Sequence, residues 1–517
     1  MHIIADVLTL LLSHLMLEID YKRHTTPSIQ VIANPLLSQQ FSPIHKQVFS
    51  NLAQLNVNYA RYAAWFAYPR LTVAELDPPS GIYQCGNVEQ NFSIKLSCRE
   101  GGGVISQVDF ASYGTATGAC GQMQQGKCHA SSSSDVVQQV CIGQEECIIP
   151  ATLEVDWFYD KGSLLIDQTI KDLGDYYGRL FAWYMDGGFI DEYGRDHVSN
   201  HFYDWDYTEI FNEVESEHTM NPESYTRAYD AVIQGIRRHT NNTQMKYVGL
   251  SLGGHNEFEW YRYFLNHSNH APNIPLDMIA YHFYAWSESR TDPLDYEALF
   301  EQLDTFTFEV EQIEEIRKSL SPETRTTIDE LGVILADDNT PGVPQFPLIF
   351  WNAAGVLYAY SWAKLSQQGI DVVGQSQLVG YPKLSNLQLQ PQYPSVSMVN
   401  WTTGAGTAKY WISKLLIDTA EIDSDQAVRT QTSDLNGKYV FSQGFICRNG
   451  QRWVLIINKR FANVDVFLPG ATGGKLEVVN EASGFGPAII TELPLSRITL
   501  TPFAVAVVHM PLMDVNI

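Results

Sequence analysis

YTEIFNEVESEH, residues 207–218, runs from apolar and aromatic residues straight into Asn212–Glu213, and polar residues follow at once. A buried parallel strand reads this way when it ends at the carboxyl face of a barrel. On a (β/α)8 barrel that face carries the active site, so an Asn-Glu pair at a strand end is a candidate catalytic group. A second stretch, TRTTIDELGVI at 324–334, again sets a glutamate, Glu330, at the end of a β-branched run. Two carboxylates on two strand ends of one barrel are what glycosidic bond cleavage requires. One is a protonated acid beside the leaving oxygen, the other an ionised nucleophile beneath the sugar carbon. A single Asn-Glu pair carries little weight, because most glutamates are simply solvated. The two together, in this order, carry much more.

Outward from these stretches, strands and helices alternate. A long amphipathic helix is expected over 167–186, and a helix over 221–240 opens on Asn221–Pro222. KYVGLSLGG (246–254), DMIAYHFYAW (277–286) and GIDVVGQSQLVG (369–380) read as further strands, with helices over 295–319 and 346–367 between them. SVSMVNWTTG (395–404) returns to the same face. Such alternation argues for an α/β class fold, a TIM-type (β/α)8 barrel. VNYARYAAWF (57–66) reads as its first strand, preceded by a helix over 42–56, and LTVAELDPPSG (71–81) as a short second strand and turn. Residues 1–40 contain β-rich pieces that do not start a barrel and are expected to join a C-terminal β-domain. That domain, a β-sandwich over 436–513, is read from short alternating strands and Gly-rich turns.

Between 82 and 154 the character changes to Gly, Ser, Gln and Cys, and six of the seven cysteines lie between Cys85 and Cys147. Clustering of this kind reads as a disulfide framework in an oxidising compartment; Cys447, far away, reads as a buried free thiol. The segment also leaves the barrel one unit short. Either it replaces the third strand and helix, leaving the barrel incomplete there, or the chain closes irregularly. The expectation is that a strand from this region, VISQVDFAS (104–112) or VDWFY (155–159), is drawn against the strand preceding Glu213, or that the sheet is open at that point.

A formal net charge of −25 in 517 residues argues against nucleic acid and anionic membranes as partners. No run of 18 apolar residues is long enough for a membrane span, apart from a weak N-terminal segment that reads as a poor signal or a buried strand. With sequons at Asn91, Asn241, Asn266 and Asn400, a secreted glycoprotein or a lysosomal location is expected. No metal site is implied, since there is no HExxH and no Cys/His ligand cluster outside 82–154, and no cofactor is implied either.

On these residues the chain resembles a retaining glycoside hydrolase of clan A, nearest to family 39, over residues 41–81 and roughly 155–513. The resemblance implies that Glu213 is the acid/base and Glu330 the nucleophile in an O-glycosyl hydrolase acting on a carbohydrate substrate. It implies that Asn212 meets the sugar 2-hydroxyl and that His282 and Tyr284, on one side of their strand, contact the nucleophile or the acid. Trp401 resembles the tryptophan of the sugar platform, with core filling as the other reading. Arg61 is placed near the nucleophile, with a structural ion pair as the other reading. Asp329 should be turned away from the cleft by strand alternation, and Glu215 and His218 read as solvated rim residues.

The 82–154 segment resembles a galactose/rhamnose-binding lectin of the sea-urchin-egg type. That resemblance implies pairing of Cys85 with Cys120 and of Cys141 with Cys147, and galactoside binding. The segment departs from the family at Gly86 and Thr115 and lacks the closing segment, so Cys98 and Cys128 lose their usual partners, and pair together or stay free. A catalytically impaired carbohydrate-binding protein is the alternative function.

Overall fold

The computed structural model describes residues 8–9, 19–22, 25–38, 42–63, 85–86, 93–97, 104–118, 123–131, 133–150, 167–191, 193–217, 220–241, 244–385, 389, 391–420, 425–428, 430–433 and 437–511. The chain divides into two units: residues 1–67 with 278–517, and residues 68–277. Its parallel strands, in chain order, are β1 (Thr26–Ile32), β2 (Tyr59–Ala63), β3 (Tyr207–Glu209), β4 (Lys246–Leu252), β5 (Met278–Ser287), β6 (Arg325–Leu335) and β7 (Val372–Gln375). The helices that matter below are α1 (His45–Leu55), α2 (Asp167–Met185), α3 (Pro222–His239), α4 (Ala298–Leu320), α5 (Ile349–Gln368) and α6 (Ala408–Thr419).

In the first unit five strands pair in the order β2-β1-β7-β6-β5, all parallel. Every residue of β1 is buried, and its polar residues Thr26, Ser28 and Gln30 are as enclosed as Ile29 and Val31. A strand covered on both faces shows no alternation, which is how parallel sheets behave. Residues 26–32, assigned from the sequence to the C-terminal β-domain, are thus corrected to the first strand of the parallel sheet, and 59–63 becomes the second. The stretch 71–81, expected as a short strand and turn, lies outside the described residues.

Helix α5 is buried all round, unlike a surface helix with one apolar stripe. Its Tyr358 hydroxyl donates to Val373 O of β7 at 2.9 Å, while Trp362 meets the Phe445 ring, centroids 6.0 Å apart. Phe445 belongs to an antiparallel sheet that runs, in order, Ile489–Glu492, Lys475–Val479, Val505–His509, Arg452–Asn458, Val440–Ile446, Gln426–Val428 and Ile19–Lys22. Among the described residues of the N-terminal stretch, 19–22 join this sheet. A smaller sheet of Leu8–Thr9, Val464–Phe467 and Arg497–Leu500 shares one core with it, through Val466, Ile498, Val454 and Ala506 among others. Cys447 is buried and in no disulfide.

In the second unit β3 pairs with β4, and no other strand borders β3 among the described residues of that unit. The piece 104–112 forms no strand; Ile105 instead exchanges backbone hydrogen bonds with Gln144 and Gly143. The expectation that it is drawn against β3 is therefore corrected, and 155–159 lies outside the described residues. Helix α3 opens as the sequence suggested, with Asn221 and Ser224 in a capping box, Pro222 in the first turn, and Arg237, Arg238 and His239 in the last. It crosses α2 at a glycine contact: a Cβ on Gly235 would lie 1.7 Å from Gly174 O, and one on Gly174 2.2 Å from Ala231 O. Backbone atoms cannot swing aside as a side-chain tip can. Gly235→Ala should therefore separate the helices and destabilise the unit by about 1–3 kcal/mol, despite alanine's better helix propensity. A lowered thermal midpoint in circular dichroism is the expected result, and an unchanged or raised one would contradict the close crossing.

Among the described residues no helix is long and apolar enough to cross a membrane.

Candidate active site and lectin module

Glu330 lies within β6, which continues five residues beyond it rather than ending there. Between the pairs Ala280–Thr327 and His282–Glu330, β5 advances two residues while β6 advances three. One extra residue on β6 makes a β-bulge, a device that re-aims side chains beside active sites. Its result is that Asp329 and Glu330, neighbours in sequence, both reach Arg61 of β2. Arg61 Nε lies 3.0 Å from Asp329 Oδ2, and its Nη1 donates to Glu330 Oε1. The expectation that alternation would turn Asp329 away is thereby corrected, because the bulge breaks the period of two. For Arg61 both sequence readings meet in one residue, an ion pair that lies against Glu330.

The rest of the Glu330 surroundings come from three more strand regions. Gln30 Nε2 of β1 donates to Oε1 at 2.6 Å, and the Tyr284 hydroxyl of β5 donates to Oε2 at 2.7 Å. His282 stands between the two acids, its Nδ1 3.7 Å from Glu330 Oε2 and its Nε2 3.5 Å from Asp329 Oδ1. Gly332, opposite Tyr284 in register, leaves room for the ring: a Cβ there would lie 3.3 Å from Tyr284 Cε1. Ser376, just past β7, places its Oγ 2.7 Å from the Tyr284 hydroxyl.

Burial pushes the Glu330 carboxyl up. The His282 and Arg61 charges and the Tyr284 hydrogen bond together outweigh that, and hold it below the ordinary carboxylate range. A carboxylate that is 3% exposed and still ionised is suited to nucleophilic attack. Behind it Lys409 of α6 is fully buried, and its Nζ donates to the backbone oxygens of Ser376 (3.3 Å) and Val396 (2.5 Å). Burial lowers this lysine to about 7, with the Asp338 charge opposing.

Sequence reasoning brought Arg61, His282 and Tyr284 to Glu330 but missed Gln30 and Ser376, whose residue types carry no signal on their own. Trp401, half-buried, packs its ring on Phe346 and Trp351, centroids 6.3 and 6.0 Å away, against the core around Met398 and Tyr410. Trp286, two residues beyond Tyr284 on β5, is 47% exposed.

In the second unit Asn212 and Glu213 follow β3, and Glu213 N donates to Ser251 O at 2.8 Å. Phe211, Glu213, Leu250 and Ser251 all have positive φ, from 44° to 74°. Non-glycine residues held there cost about 1–3 kcal/mol each, and such strain clusters at functional sites. Ser251 Oγ lies 3.5 Å from Asn212 Oδ1. Gly253 makes room for two carboxylates, since a Cβ there would stand 3.0 Å from Glu213 Oε1 and 3.2 Å from Glu215 Oε1. Glu215 is half-buried rather than a solvated rim residue, and Gly254 N donates to it at 2.7 Å. Burial, with the like charge of Glu213, raises its carboxyl against that hydrogen bond. His218 lies outside the described residues.

The cysteine-rich segment of this unit is built on an antiparallel pair, Ser93–Ser97 with Glu146–Pro150, and a helix, Ser133–Cys141. Cys141 is disulfide-bonded to Cys147, and with Ile149, Ile94, Leu96 and Ile105 they form its core. Cys85 is also disulfide-bonded, whereas Cys128 is an exposed free thiol. At the Tyr113-Gly114-Thr115 turn, Thr115 N donates to Cys128 O at 2.9 Å, and Ala130 N to Tyr113 O at 2.9 Å. Gly114 has φ 145°, and a Cβ on it would meet Cys128 O at 2.1 Å, so this close approach of two chain segments needs glycine.

Residues 96–158 match the D-galactoside/L-rhamnose binding SUEL lectin domain. The lectin domain also accounts for the curated relatives. β-Galactosidase 6 of Oryza sativa subsp. japonica is 40% identical over 63 residues, 12% of this chain and 7% of that protein. β-Galactosidase 14 of Arabidopsis thaliana is 34% identical over 108 residues, 17% of this chain and 12% of that one. The chain thus spans about a tenth of the length of the relatives it matches.

Likeness in fold extends much further than the lectin domain. An arabinofuranosidase structure superposes with a TM-score of 0.52 over 98% of this chain and all of the other, at 13% identity. A family 51 α-L-arabinofuranosidase from Thermotoga petrophila RKU-1 gives 0.51, with the same coverage and 12% identity. The fold is therefore glycoside-hydrolase-like, mixed α/β with a parallel sheet of the TIM-barrel kind and a C-terminal antiparallel sheet. The Thermotoga petrophila neighbour is of family 51, and the expectation of family 39 reduces to this coarser likeness.

Proposed function

We propose that the chain is a retaining O-glycosyl hydrolase with an attached lectin domain, Glu330 being its nucleophile and Glu213 its acid/base. The observation that carries this reading is the surroundings of Glu330. A buried carboxylate is kept ionised by the His282 and Arg61 charges and the Tyr284 hydrogen bond, with Gln30 donating as well, whereas a carboxylate kept only for stability gains little from such burial. Asn212 is assigned to the sugar 2-hydroxyl, and the lectin domain to galactoside or rhamnoside binding.

The test is a panel of aryl glycosides that includes an α-L-arabinofuranoside and a β-galactoside, because the structural neighbours and the lectin relatives bear those names. Hydrolysis with retained anomeric configuration is expected for at least one. Inversion, or no turnover by the whole panel, would count against the reading.

A variant of Glu213 separates the two roles. Glu213→Ala should spare release of an activated aryl group, which departs without a proton, and slow hydrolysis of the glycosyl-enzyme by about 10²–10⁴-fold. Azide should restore that second step and give a glycosyl azide of retained configuration. If azide has no effect and both steps slow alike, Glu213 is not the acid/base.

The alternative, a carbohydrate-binding protein without turnover, draws on one observation: no strand besides β4 borders β3 among the described residues of its unit. Glycan binding with no hydrolysis would be its signature.

A further inference from the structure

Glu330 and three other side chains close a ring of hydrogen bonds. Gln30 Nε2 donates to Glu330 Oε1 (2.6 Å), Tyr284 reaches Glu330 Oε2 (2.7 Å) and Ser376 Oγ (2.7 Å), and Ser376 Oγ donates to Gln30 Oε1 (2.5 Å). Proton counting gives the ring a direction. The amide oxygen of Gln30 can only accept, so the Ser376 hydroxyl proton is committed to it, and the Gln30 amide protons face the carboxylate. Ser376 Oγ is then left as an acceptor towards Tyr284. The phenol has one proton and, in this ring, two acceptors, Glu330 Oε2 and Ser376 Oγ, at equal distances.

The two carboxylate oxygens are not equivalent. Oε1 receives both Arg61 and Gln30, which suits the carbonyl oxygen of an ester. Oε2 receives Tyr284, with His282 at a longer distance, and is the less encumbered oxygen for attack. When Oε2 gives an electron pair to the anomeric carbon, the bond from that carbon to the leaving oxygen breaks, and the leaving oxygen takes the acid's proton. Oε2 becomes an ester oxygen, a poor acceptor, and a Tyr284 proton still aimed at it would oppose the attack.

We propose that Ser376 is a positioning residue that receives the Tyr284 hydroxyl hydrogen bond while Glu330 Oε2 is bonded to the sugar, and returns it when the carboxylate is released. Only a rotation of the phenolic O–H is involved; no proton leaves its oxygen. Lys409, holding the Ser376 backbone oxygen at 3.3 Å, keeps the acceptor in place. This inference rests on the glycosidase reading above.

The experiment compares wild type, Ser376→Ala and Ser376→Thr on the activated aryl glycoside that the wild type turns over best. Each is compared again in a Tyr284→Phe background, with circular dichroism to check the fold. In Ser376→Ala, kcat/KM, which reports formation of the glycosyl-enzyme, should fall about 10- to 100-fold. The rate of its hydrolysis, read in a single turnover, should change by less than about threefold. Ser376→Thr keeps the hydroxyl and should restore most of kcat/KM. In the Tyr284→Phe background, which has no phenolic proton to move, Ser376→Ala should cost much less. The proposal is overturned if the wild type is active and Ser376→Ala matches it, if both steps slow equally, or if the loss is undiminished without the phenol. No turnover by the wild type on any glycoside is a different result, the failure of the glycosidase reading itself.

Discussion

Glu330→Gln is expected to remove turnover by on the order of 10⁴-fold or more, the scale seen when a covalent catalyst loses its nucleophile. Glutamine keeps the size of the side chain and loses its charge, so the effect separates chemistry from packing. It does not fit the ring unchanged, because both Glu330 oxygens face donors and an amide NH₂ must then point at one of them. Arg61 retains Asp329, so the fold should survive. The confirming measurement is mass spectrometry after treatment with an activated 2-deoxy-2-fluoro glycoside. Wild type should carry a sugar adduct on the peptide containing Glu330, and the variant none. Turnover above a tenth of wild type, or an adduct on another carboxylate, would remove Glu330 from the nucleophile's role.

Arg61→Met should have the largest effect on stability. The arginine is the shared cation of two carboxylates that are 8% and 3% exposed, and truncating one partner of a buried ion pair costs about 3–5 kcal/mol. The loss depends on pH with a definite sign. In the wild type the Glu330 carboxyl is held below its unfolded value, so its contribution is present above the ordinary carboxylate range and is lost as pH falls through the folded value. In the variant one of the opposing charges is gone, and the burial that pushes the carboxyl up gains ground. The difference between the two proteins should therefore be greatest near neutrality and shrink as acid protonates the carboxylate. Urea midpoints at neutral pH and near pH 4 would show this, whereas a difference independent of pH would mean that Arg61 acts by packing alone.

The Glu330 neighbourhood was legible in outline because Arg61, His282 and Tyr284 carry distinctive chemistry on recognisable strands. Gln30 was not, since it lies in TPSIQVI, a run with nothing to say which of two sheets it joins. In the structure it is completely buried, and a polar residue so enclosed must have partners; those partners lie some 300 residues away in sequence. Asp329 was misplaced for another reason. Period-two reasoning assumes an unbroken ladder, and one extra residue on β6 leaves no mark in TRTTIDELGVI. Trp401 carries two readings in the sequence, sugar platform and core filling, because an indole serves either; in the structure it packs on Phe346 and Trp351 and stays partly exposed. In the lectin domain the cysteine pattern and the Tyr-Gly turn were informative because both impose covalent or steric constraints that sequence preserves directly.

The first unit is discontinuous, its residues 1–67 separated from 278–517 by the whole of the second. On a ribosome this sets an order of events. Strand β1 finds its neighbour β7 only after some 345 further residues have been made, the separation of Thr25 from the Ile370 oxygen it binds. At about 5–20 residues per second that is roughly 20–70 s during which the buried strand has β2 on one side and no partner on the other. The intervening unit, made wholly of contiguous chain, can fold in the meantime. Chaperone binding to the nascent N-terminal segment, and its release once β7 has emerged, would follow from that connectivity.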